Sequence, residues 1–537
     1  MKLLLPLLIT INIFAQETIT LNWLEKQPKS IAKDFYIYRY LNQDISPEQS
    51  LKAIEQVRYL NNKIFYRFAN KSDDDSFKKL KSCMRMKTSS LIKKEDYCIQ
   101  SGLTVYEATK LSKNNLEQVI DKIENNYPKL KKKLDILNSA IPFKSLEQST
   151  PDTFFNTFNE CGGVYRAKYF NNYFPLNLIK ELKPHKQFAQ TVKLIVTNKN
   201  MKKAQASLLH VNPEGLDFKT TFHLAINAIV NKKDDIATVY LEDAYKKAYY
   251  QMQKDNITFW QYKLTNDKKY LKKLASSWDI NLYSLYASEI LNKKQTNIIF
   301  EIKQKSSNKK SFDIDDPFKW LKVLNESKKM DDKKLLKYQD LFNSFETIGH
   351  LAFVKERYDR YRNSYFITPY NKYIGDYKQS RQALIYAIAR QESRFIPTSI
   401  SSAYAMGTMQ IMPFLSKAIA KELKDKYDID KQLKPKTNLR YANHHLNFLE
   451  KRLKHPLLIA YGYNGGIGFT NRILKQGLFK KGEYEPFLSM ELLPYDETKK
   501  YGKKVLANYY VYQNHLNKNN KIKLSTLFQK IQNPYQH

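Results

Sequence analysis

Glycine is scarce in the first part of this 537-residue chain, where it occurs only at positions 102, 162, 163 and 215 before residue 349. Tight hairpins between strands depend on glycine, so this scarcity excludes a sheet-rich N-terminal region. Apolar residues instead recur at i, i+3 and i+4 in stretches such as 47–60, 115–136 and 234–250. The spacing predicts a mainly all-α chain that begins with an α-solenoid of stacked helix pairs, without a strict sequence repeat.

Cysteine is nearly absent as well, with only Cys83, Cys98 and Cys161. Neither a CxxC pair nor a histidine cluster gives metal-ligand spacing, so the sequence predicts no metal and no cofactor. In an oxidising compartment Cys83 and Cys98 could close a loop of about fifteen residues, worth roughly 3 kcal/mol in the chain-entropy model. Cys161 has no histidine near it in sequence and is expected to be a buried apolar residue rather than a nucleophile.

Long apolar runs are missing apart from one at the beginning of the chain. Lys2, an apolar run over 3–14 and the small residue Ala15 have the pattern of a secretory signal, with cleavage expected after Ala15. That run is too short for a stable membrane anchor, and no other stretch reaches about eighteen apolar residues. The sequence therefore predicts a secreted protein without a transmembrane anchor.

Negative charge is in short supply, because 90 Lys and Arg residues face 53 Asp and Glu residues, for a formal net charge of +37. Such a charge invites a nucleic-acid interpretation. The lysines are spread almost evenly along the chain, however, and a secreted protein rarely meets nucleic acid. We therefore predict no nucleic-acid partner, and an acidic polymer fits the charge better.

One segment, 381–413, combines a helical pattern with a carboxylate in an unusual place: RQALIYAIARQESRFIPTSISSAYAMGTMQIMP. Glu392 shares a predicted helix face with the apolar residues four and eight positions before it. Desolvation at the end of that apolar stripe should raise the pKa of the carboxyl, which suits proton transfer to a neutral polar substrate. The alternative is a structural glutamate paired with Arg390 or Arg394.

The residues after Glu392 favour the chemical interpretation. No Asp or Glu occurs from Ser393 to Lys421. A hydroxyl-rich loop at 398–402 comes instead, and Pro413 is expected to open the next helix as its first residue.

Four short blocks follow one another in this part of the chain: IARQES at 388–393, GTMQIMP at 407–413, AYGYNGGIG at 460–468 and ELLPYDETKKY at 491–501. Together they resemble the soluble lytic murein transglycosylases. The resemblance implies an N-terminal superhelix curled into a ring, a small helical linker domain and a C-terminal lysozyme-like domain. The expected division is a signal peptide at 1–15, the superhelix at 16–307, the linker domain at 308–372 and the catalytic domain at 373–537.

The resemblance also implies an activity, namely periplasmic cleavage of the β-1,4 bond between MurNAc and GlcNAc of peptidoglycan, leaving 1,6-anhydroMurNAc ends. Glu392 alone would act as acid and then as base while the 6-hydroxyl of the sugar attacks C1, and holding that hydroxyl in place can be worth ~7–11 kcal/mol. The expected partners are glycan strands, with other cell-wall enzymes as further candidates. A hydrolase on the same scaffold and a non-catalytic wall-binding scaffold remain alternatives.

Three residues match positions near the acid in that family. Tyr463 is expected to orient Glu392 or to stabilise developing charge, although it could merely cap the core. Ser401 matches a loop serine near the acid. The side-chain amide of Gln410 is a good donor to an N-acetyl group.

Four further residues match substrate-binding positions less specifically. Asn464 is expected to shape the glycine-rich turn more than to contact sugar. Glu497 matches a glutamate that contacts the muramoyl part, and the alternative is a pair with one of the two lysines that follow it. Met409 and Met412 are as consistent with core residues as with the wall of a sugar subsite.

The chain also departs from the family pattern. Tyr404 stands where the family has glycine, and this departure matters most, because a glycine there would serve a positive φ or a close approach of the sugar. The other departures are Thr408 for Leu, Ala442 for Gly, His445 for Tyr, Ile467 for Pro and Lys499 for Arg.

Overall fold

The computed structural model of the protein describes residues 18–304 and 312–532. The predicted signal peptide and the first four residues of the predicted linker domain, 308–311, therefore lie outside the described residues. The described chain is helical almost throughout, which confirms the all-α prediction. None of the helices in these two ranges is long and apolar enough to cross a membrane.

The first part of the described chain is a succession of short helices. They are α1 Leu21–Glu25, α2 Ile31–Tyr40, α3 Pro47–Ile54, α4 Asn62–Lys71, α5 Asp75–Arg85, α6 Thr88–Leu91, α7 Asp96–Gly102, α8 Val105–Ala108, α9 Lys113–Ile123, α10 Pro128–Asn138, α11 Pro142–Glu147, α12 Pro151–Glu160, α13 Gly163–Tyr169, α14 Leu176–Leu182, α15 Phe188–Val196, α16 Lys202–Ser207, α17 Phe218–Val230, α18 Asp234–Lys247, α19 Gln251–Thr265, α20 Lys268–Ala275 and α21 Leu282–Ile290. A short 3-10 helix, Leu208–His210, follows α16.

Neighbours in sequence are neighbours in space along this part: α9 packs on α10, α17 on α18, α18 on α19, and α20 on α21. This pairwise stacking is the predicted solenoid. The helical stretch predicted over 115–136 is two helices, because Pro128 cannot continue a helix and opens α10 instead. Many helices begin at a side-chain cap, such as Ser30, Ser46 and Ser112, which accept hydrogen bonds from the first turn.

The structure settles the state of the three cysteines, two of which form the disulfide that the sequence left open. Cys83 of α5 and Cys98 of α7 form a disulfide, with their Cα atoms 5.0 Å apart. Cys161 is a buried free thiol, and burial raises its pKa to about 11. A buried, protonated thiol packs in the core and does not act as a nucleophile.

The middle of the chain contains a feature that the sequence did not predict, a pair of short parallel strands. Strand β1, Ile298–Ile299, follows the last helix of the solenoid and pairs with β2, Ser364–Tyr365. Between them lie α22 Pro317–Glu326, α23 Asp332–Leu341 and α24 Ile348–Tyr358, with 3-10 helices at Ser327–Lys329 and Phe345–Thr347. Ile396 joins the apolar cluster of these helices, so the predicted boundary at 372 stays a prediction.

The remaining helices form the C-terminal region, 371–532. They are α25 Asn371–Ile374, α26 Gln379–Glu392, α27 Pro413–Glu422, α28 Pro435–Leu453, α29 Pro456–Gly465, α30 Ile467–Lys475, α31 Phe487–Glu491, α32 Asp496–Leu516 and α33 Leu524–Ile531, with a 3-10 helix at Asp430–Leu433. Both α26 and α29 pack along α32, the longest of them. As predicted, Pro413 opens α27.

The solenoid contacts the C-terminal region at both of its ends. Near the beginning of the chain, Arg39 of α2 donates two hydrogen bonds to Asp430, at 2.6 and 2.9 Å. At the other end, Tyr283 of α21 donates to Glu491, at 3.1 Å. The C-terminal region therefore contacts both the first and the last helices of the solenoid.

Candidate active site

Glu392 is the last residue of α26, a helix whose residues from Gln382 to Arg390 are all buried. Its carboxylate accepts a hydrogen bond of 2.8 Å from the hydroxyl of Tyr501. Burial raises the pKa of Glu392 to about 8, the negative charge of Glu497 adds to the increase, and the hydrogen bond from Tyr501 opposes it. Part of the side chain remains accessible to solvent. The predicted raised pKa is confirmed, and a pKa of about 8 favours the protonated form of Glu392 at neutral pH.

The arginine partners that the sequence offered for Glu392 are engaged elsewhere. Arg390 and Arg394 both bind Glu356 of α24, at 3.0 and 3.1 Å. Arg390 also donates to the side chain of Asn508, at 3.1 Å. The alternative of a glutamate paired with Arg390 or Arg394 is therefore wrong, because a buried carboxylate from another helix holds both guanidinium groups.

Tyr501 is a site residue whose role the sequence reasoning missed. It appeared only as the last letter of the ELLPYDETKKY block, yet it is buried and is the residue that contacts Glu392. A signal was present, because Tyr501 follows Glu497 by four residues and the two share one face of α32.

Tyr463 lies in a helix and not in the glycine-rich turn that the sequence suggested. The AYGYNGGIG block is not a single turn, since Tyr463 lies in the last turn of α29 and Gly466, with a φ of +85°, separates this helix from α30. The Tyr463 hydroxyl donates to the main-chain carbonyl of Met409, at 2.7 Å. Burial raises the pKa of Tyr463, and the charge of Glu392 adds to this, which places the tyrosine near the acid. The role of Tyr463 in orienting Glu392 stays a prediction. The hydrogen bond that Tyr463 makes holds the main chain of the loop that contains Met409.

The loop after α26 is held by its own hydrogen bonds. Ser401 accepts a bond of 3.0 Å from the amide of Ala405. The side-chain nitrogen of Gln410 donates to the carbonyls of Ser399 and Gly407, at 2.9 and 2.8 Å. Both N–H groups of Gln410 are thus occupied, which differs from the expected free donor to an N-acetyl group.

The two methionines of the loop differ in exposure. Met409 is fully buried, so its side chain favours the core alternative. Met412 is half-buried and immediately precedes α27, so it stays a candidate for a subsite wall.

Asn464 and Glu497 are directly connected. The amide of Asn464 donates to the exposed carboxylate of Glu497, at 3.1 Å, and accepts from the hydroxyl of Thr498, at 2.7 Å. Lys499, one of the two lysines considered as a partner of Glu497, instead donates to the main-chain carbonyl of Glu491, at 2.9 Å. Asn464 therefore fixes the orientation of Glu497 beside the acid.

The fold and the site together define a class, an all-helical domain that presents one desolvated carboxyl, hydrogen-bonded to a tyrosine, at the end of its central helix. Residues 369–485 match the family model of the transglycosylase SLT domain. Over this segment the chain is similar to that family, which confirms the predicted resemblance to the soluble lytic murein transglycosylases.

Two curated relatives each match about a quarter of the chain. A protein of Haemophilus influenzae provisionally named a soluble lytic murein transglycosylase is 36% identical over 136 residues, which is 25% of this chain and 22% of that protein. The soluble lytic murein transglycosylase of Salmonella typhimurium is 31% identical over 141 residues, 26% of this chain and 21% of the relative. The matches thus span about a fifth of the length of each relative.

Solved structures resemble the chain over a greater length but less closely. The 70-kDa soluble lytic transglycosylase in complex with bulgecin A has a TM-score of 0.49 and 14% identity, covering 94% of this chain and 90% of that one. An inactive mutant of the lytic transglycosylase Slt from Pseudomonas aeruginosa has a TM-score of 0.48 and 13% identity, with the same coverage. Because these scores are low, the similarity to the family rests on the sequence matches alone.

Proposed function

We propose that the protein is a lytic transglycosylase that cleaves the MurNAc–GlcNAc bond of murein, with Glu392 as acid and then as base. The observation that carries the proposal is the environment of Glu392, a desolvated carboxyl with a pKa of about 8 whose arginine neighbours are bound to Glu356. Such a group holds a proton at neutral pH and can return to that state after each cycle. The match of residues 369–485 to the SLT domain supports this chemistry.

In the proposed reaction the neutral Glu392 donates its proton to the glycosidic oxygen, and the bond from that oxygen to C1 of MurNAc breaks. The carboxylate that remains accepts the proton of the 6-hydroxyl, whose oxygen bonds to C1 and closes the 1,6-anhydro ring. No water is consumed, and Glu392 ends as it began. Between the two proton transfers Tyr501 stabilises Glu392 in its carboxylate form through its hydrogen bond.

We further propose that the protein acts on glycan strands in the periplasm. A basic chain with a net charge of +37 suits glycan strands whose peptide stems carry carboxylates. The signal-like pattern at residues 1–15 supports a periplasmic location, where those strands and other cell-wall enzymes occur.

A specific observation favours a second candidate, a hydrolase of the lysozyme type. Glu497 is exposed, and its charge contributes to the raised pKa of Glu392, so a second carboxylate acts within electrostatic range of the acid. In glycosidases with two carboxylates, the second one activates water or attacks the sugar. If Glu497 served in this way, the products would have ordinary reducing ends.

Mass spectrometry of the fragments released from purified sacculi separates these candidates. We expect anhydro ends from the wild type, a loss of activity on the order of a thousandfold in Glu392→Gln, and persisting anhydro products in Glu497→Gln. Glu214→Gln makes the same chemical change on an exposed loop of the solenoid and should behave as the wild type.

The other outcomes identify what is wrong. Borohydride-reducible ends that disappear in Glu497→Gln would establish the hydrolase. Sacculi that the wild type never solubilises would leave the wall-binding scaffold as the better account.

A further inference from the structure

Tyr404 has a backbone conformation that its side chain does not favour. Its φ is +68°, in the left-handed region where the Cβ of an ordinary residue is crowded. Tyr404 is nevertheless one of the largest fully buried side chains of the protein. Contacts of its ring and hydroxyl must therefore offset the unfavourable backbone.

Those contacts come from the beginning of the chain. The Tyr404 ring lies 5.5 Å from the ring of Phe35 and 5.1 Å from that of Tyr38, both on α2. Its hydroxyl accepts a hydrogen bond of 2.9 Å from the side-chain amide of Asn61, the residue that caps α4. The side chain thus leaves its own loop and inserts between helices of the solenoid.

Two further bonds hold the same surfaces together. The ammonium group of Lys63 donates to the carbonyl of Ala403, at 2.7 Å, and lies 5.2 Å from the centre of the Tyr404 ring. Arg39 binds Asp430, the first residue of the 3-10 helix Asp430–Leu433. Leu433, the last residue of this helix, packs in one apolar cluster with Phe35, Tyr404 and Met406. Two helices of the solenoid, α2 and α4, therefore meet this loop and the 3-10 helix that follows it.

The other side of the loop is tied to the candidate active site. Ser393, the residue after Glu392, donates to the carbonyl of Thr408, at 2.7 Å. Tyr463 donates to the carbonyl of Met409, also at 2.7 Å. Within the loop, the main chains of Met406 and Ile411 exchange two hydrogen bonds of 3.0 Å, and Gly407 donates to the carbonyl of Ser399, so the segment 399–411 is held together by its own main chain.

We propose that Tyr404 is a positioning residue, through which helices α2 and α4 of the solenoid hold the loop 399–411 in the shape that binds the glycan. The inference rests on the proposed function for its kinetic readout. It makes substrate affinity at Glu392 depend on residues that precede it by more than 300 positions in the chain.

A replacement with opposite effects on backbone and side chain tests the proposal. Tyr404→Gly relieves the left-handed backbone, so an effect of strain alone would favour the loop. If the side-chain contacts position the loop, the KM for a soluble glycan rises about tenfold, kcat changes less than about twofold, and amide hydrogen exchange accelerates over 399–411.

Milder variants isolate the hydrogen bond. Tyr404→Phe keeps the ring, and Asn61→Ser keeps a capping side chain but is too short to reach the hydroxyl. Each should raise KM about threefold, and the double variant should be no worse than either alone, because both remove the same bond. Tyr59→Phe, on an exposed tyrosine of the preceding loop, is the matched control and should leave KM unchanged.

The outcomes distinguish this inference from the proposed function. Unchanged KM and unchanged exchange in Tyr404→Gly, or additive effects in the double variant, overturn the positioning role while lytic activity stands. A wild type without lytic activity refutes the proposed function, and hydrogen exchange over 399–411 still decides the role of Tyr404.

Discussion

Two buried glutamates of the C-terminal region have opposite surroundings. Glu491, at the end of α31, binds the ammonium group of Lys503, while Lys499 donates to its main-chain carbonyl. Burial by itself would raise the pKa of Glu491, but the charges of Lys503 and Lys499 outweigh it and lower the pKa to about 2. At Glu392 burial dominates, and the pKa is about 8.

The comparison shows how one fold makes a charged and a neutral carboxyl from the same residue type. Each glutamate accepts a hydrogen bond from a tyrosine hydroxyl, Tyr283 for Glu491 and Tyr501 for Glu392. The difference lies in the cations: Lys503 binds Glu491, whereas the two arginines that flank Glu392 in sequence bind Glu356 instead. The pKa of Glu392 stays high because the neighbouring arginines pair with another carboxylate.

The largest expected effect is on stability. Glu491→Gln leaves Lys503 without its carboxylate and takes a compensating charge from the vicinity of Lys499. We expect a loss of about 3–5 kcal/mol in the free energy of unfolding, measured by urea denaturation at pH 7. Glu392→Gln removes a buried group that has no cation, so it should cost little or stabilise the protein. Equal losses in the two variants would contradict the comparison.

The pH dependence of stability should also have opposite directions. The folded-state pKa of Glu392 is above its ordinary value of 4.5, so its favourable contribution is complete below pH 4.5 and is lost as the pH rises to about 8. For Glu491 the pKa is lowered, so its contribution is present above pH 4.5 and is lost as the pH falls towards 2. The stability difference between wild type and each variant should change by at most about 1.4 kcal/mol per pH unit within its own window.

A smaller effect is expected from the hydroxyl partner of the acid. Tyr501→Phe removes the bond that favours the carboxylate form of Glu392, so kcat should fall about tenfold. The alkaline limb of the kcat/KM profile, expected near pH 8 in the wild type, should move to higher pH. A limb that stays in place would show that the hydroxyl does not act on Glu392.

The smallest effect concerns the neighbouring charge. Glu497 raises the pKa of Glu392, so Glu497→Gln should move the same limb to lower pH, by less than about one unit. The shift is opposite in sign to that of Tyr501→Phe, and the two variants are each other's control.

Predictions that depended on local sequence are the ones that the structure confirms. The solenoid was predictable because each helix packs on its neighbours in the chain, so the apolar period along the sequence carries the packing. The raised pKa of Glu392 followed from its place at the end of one apolar helix face. The disulfide joins cysteines that are only 15 residues apart.

Contacts between distant segments could not be read from the sequence in the same way. Tyr501 reaches Glu392 across 109 residues, and Glu356 reaches Arg390 across 34. At Tyr404 the family's glycine indicated either a positive φ or a close approach of the sugar, and the φ of +68° matches the first. The contacts of its side chain with α2 and Asn61 join segments more than 300 residues apart, and no local pattern indicated them.

The most direct test of the account is a titration of the Glu392 carboxyl itself, by carbon-13 NMR of glutamate-labelled protein with Glu392→Gln to assign the resonance. The account predicts a midpoint near pH 8 for this carboxyl. A midpoint at its ordinary value of 4.5 would mean that Glu392 is ionised at neutral pH, and would contradict its role as the proton donor.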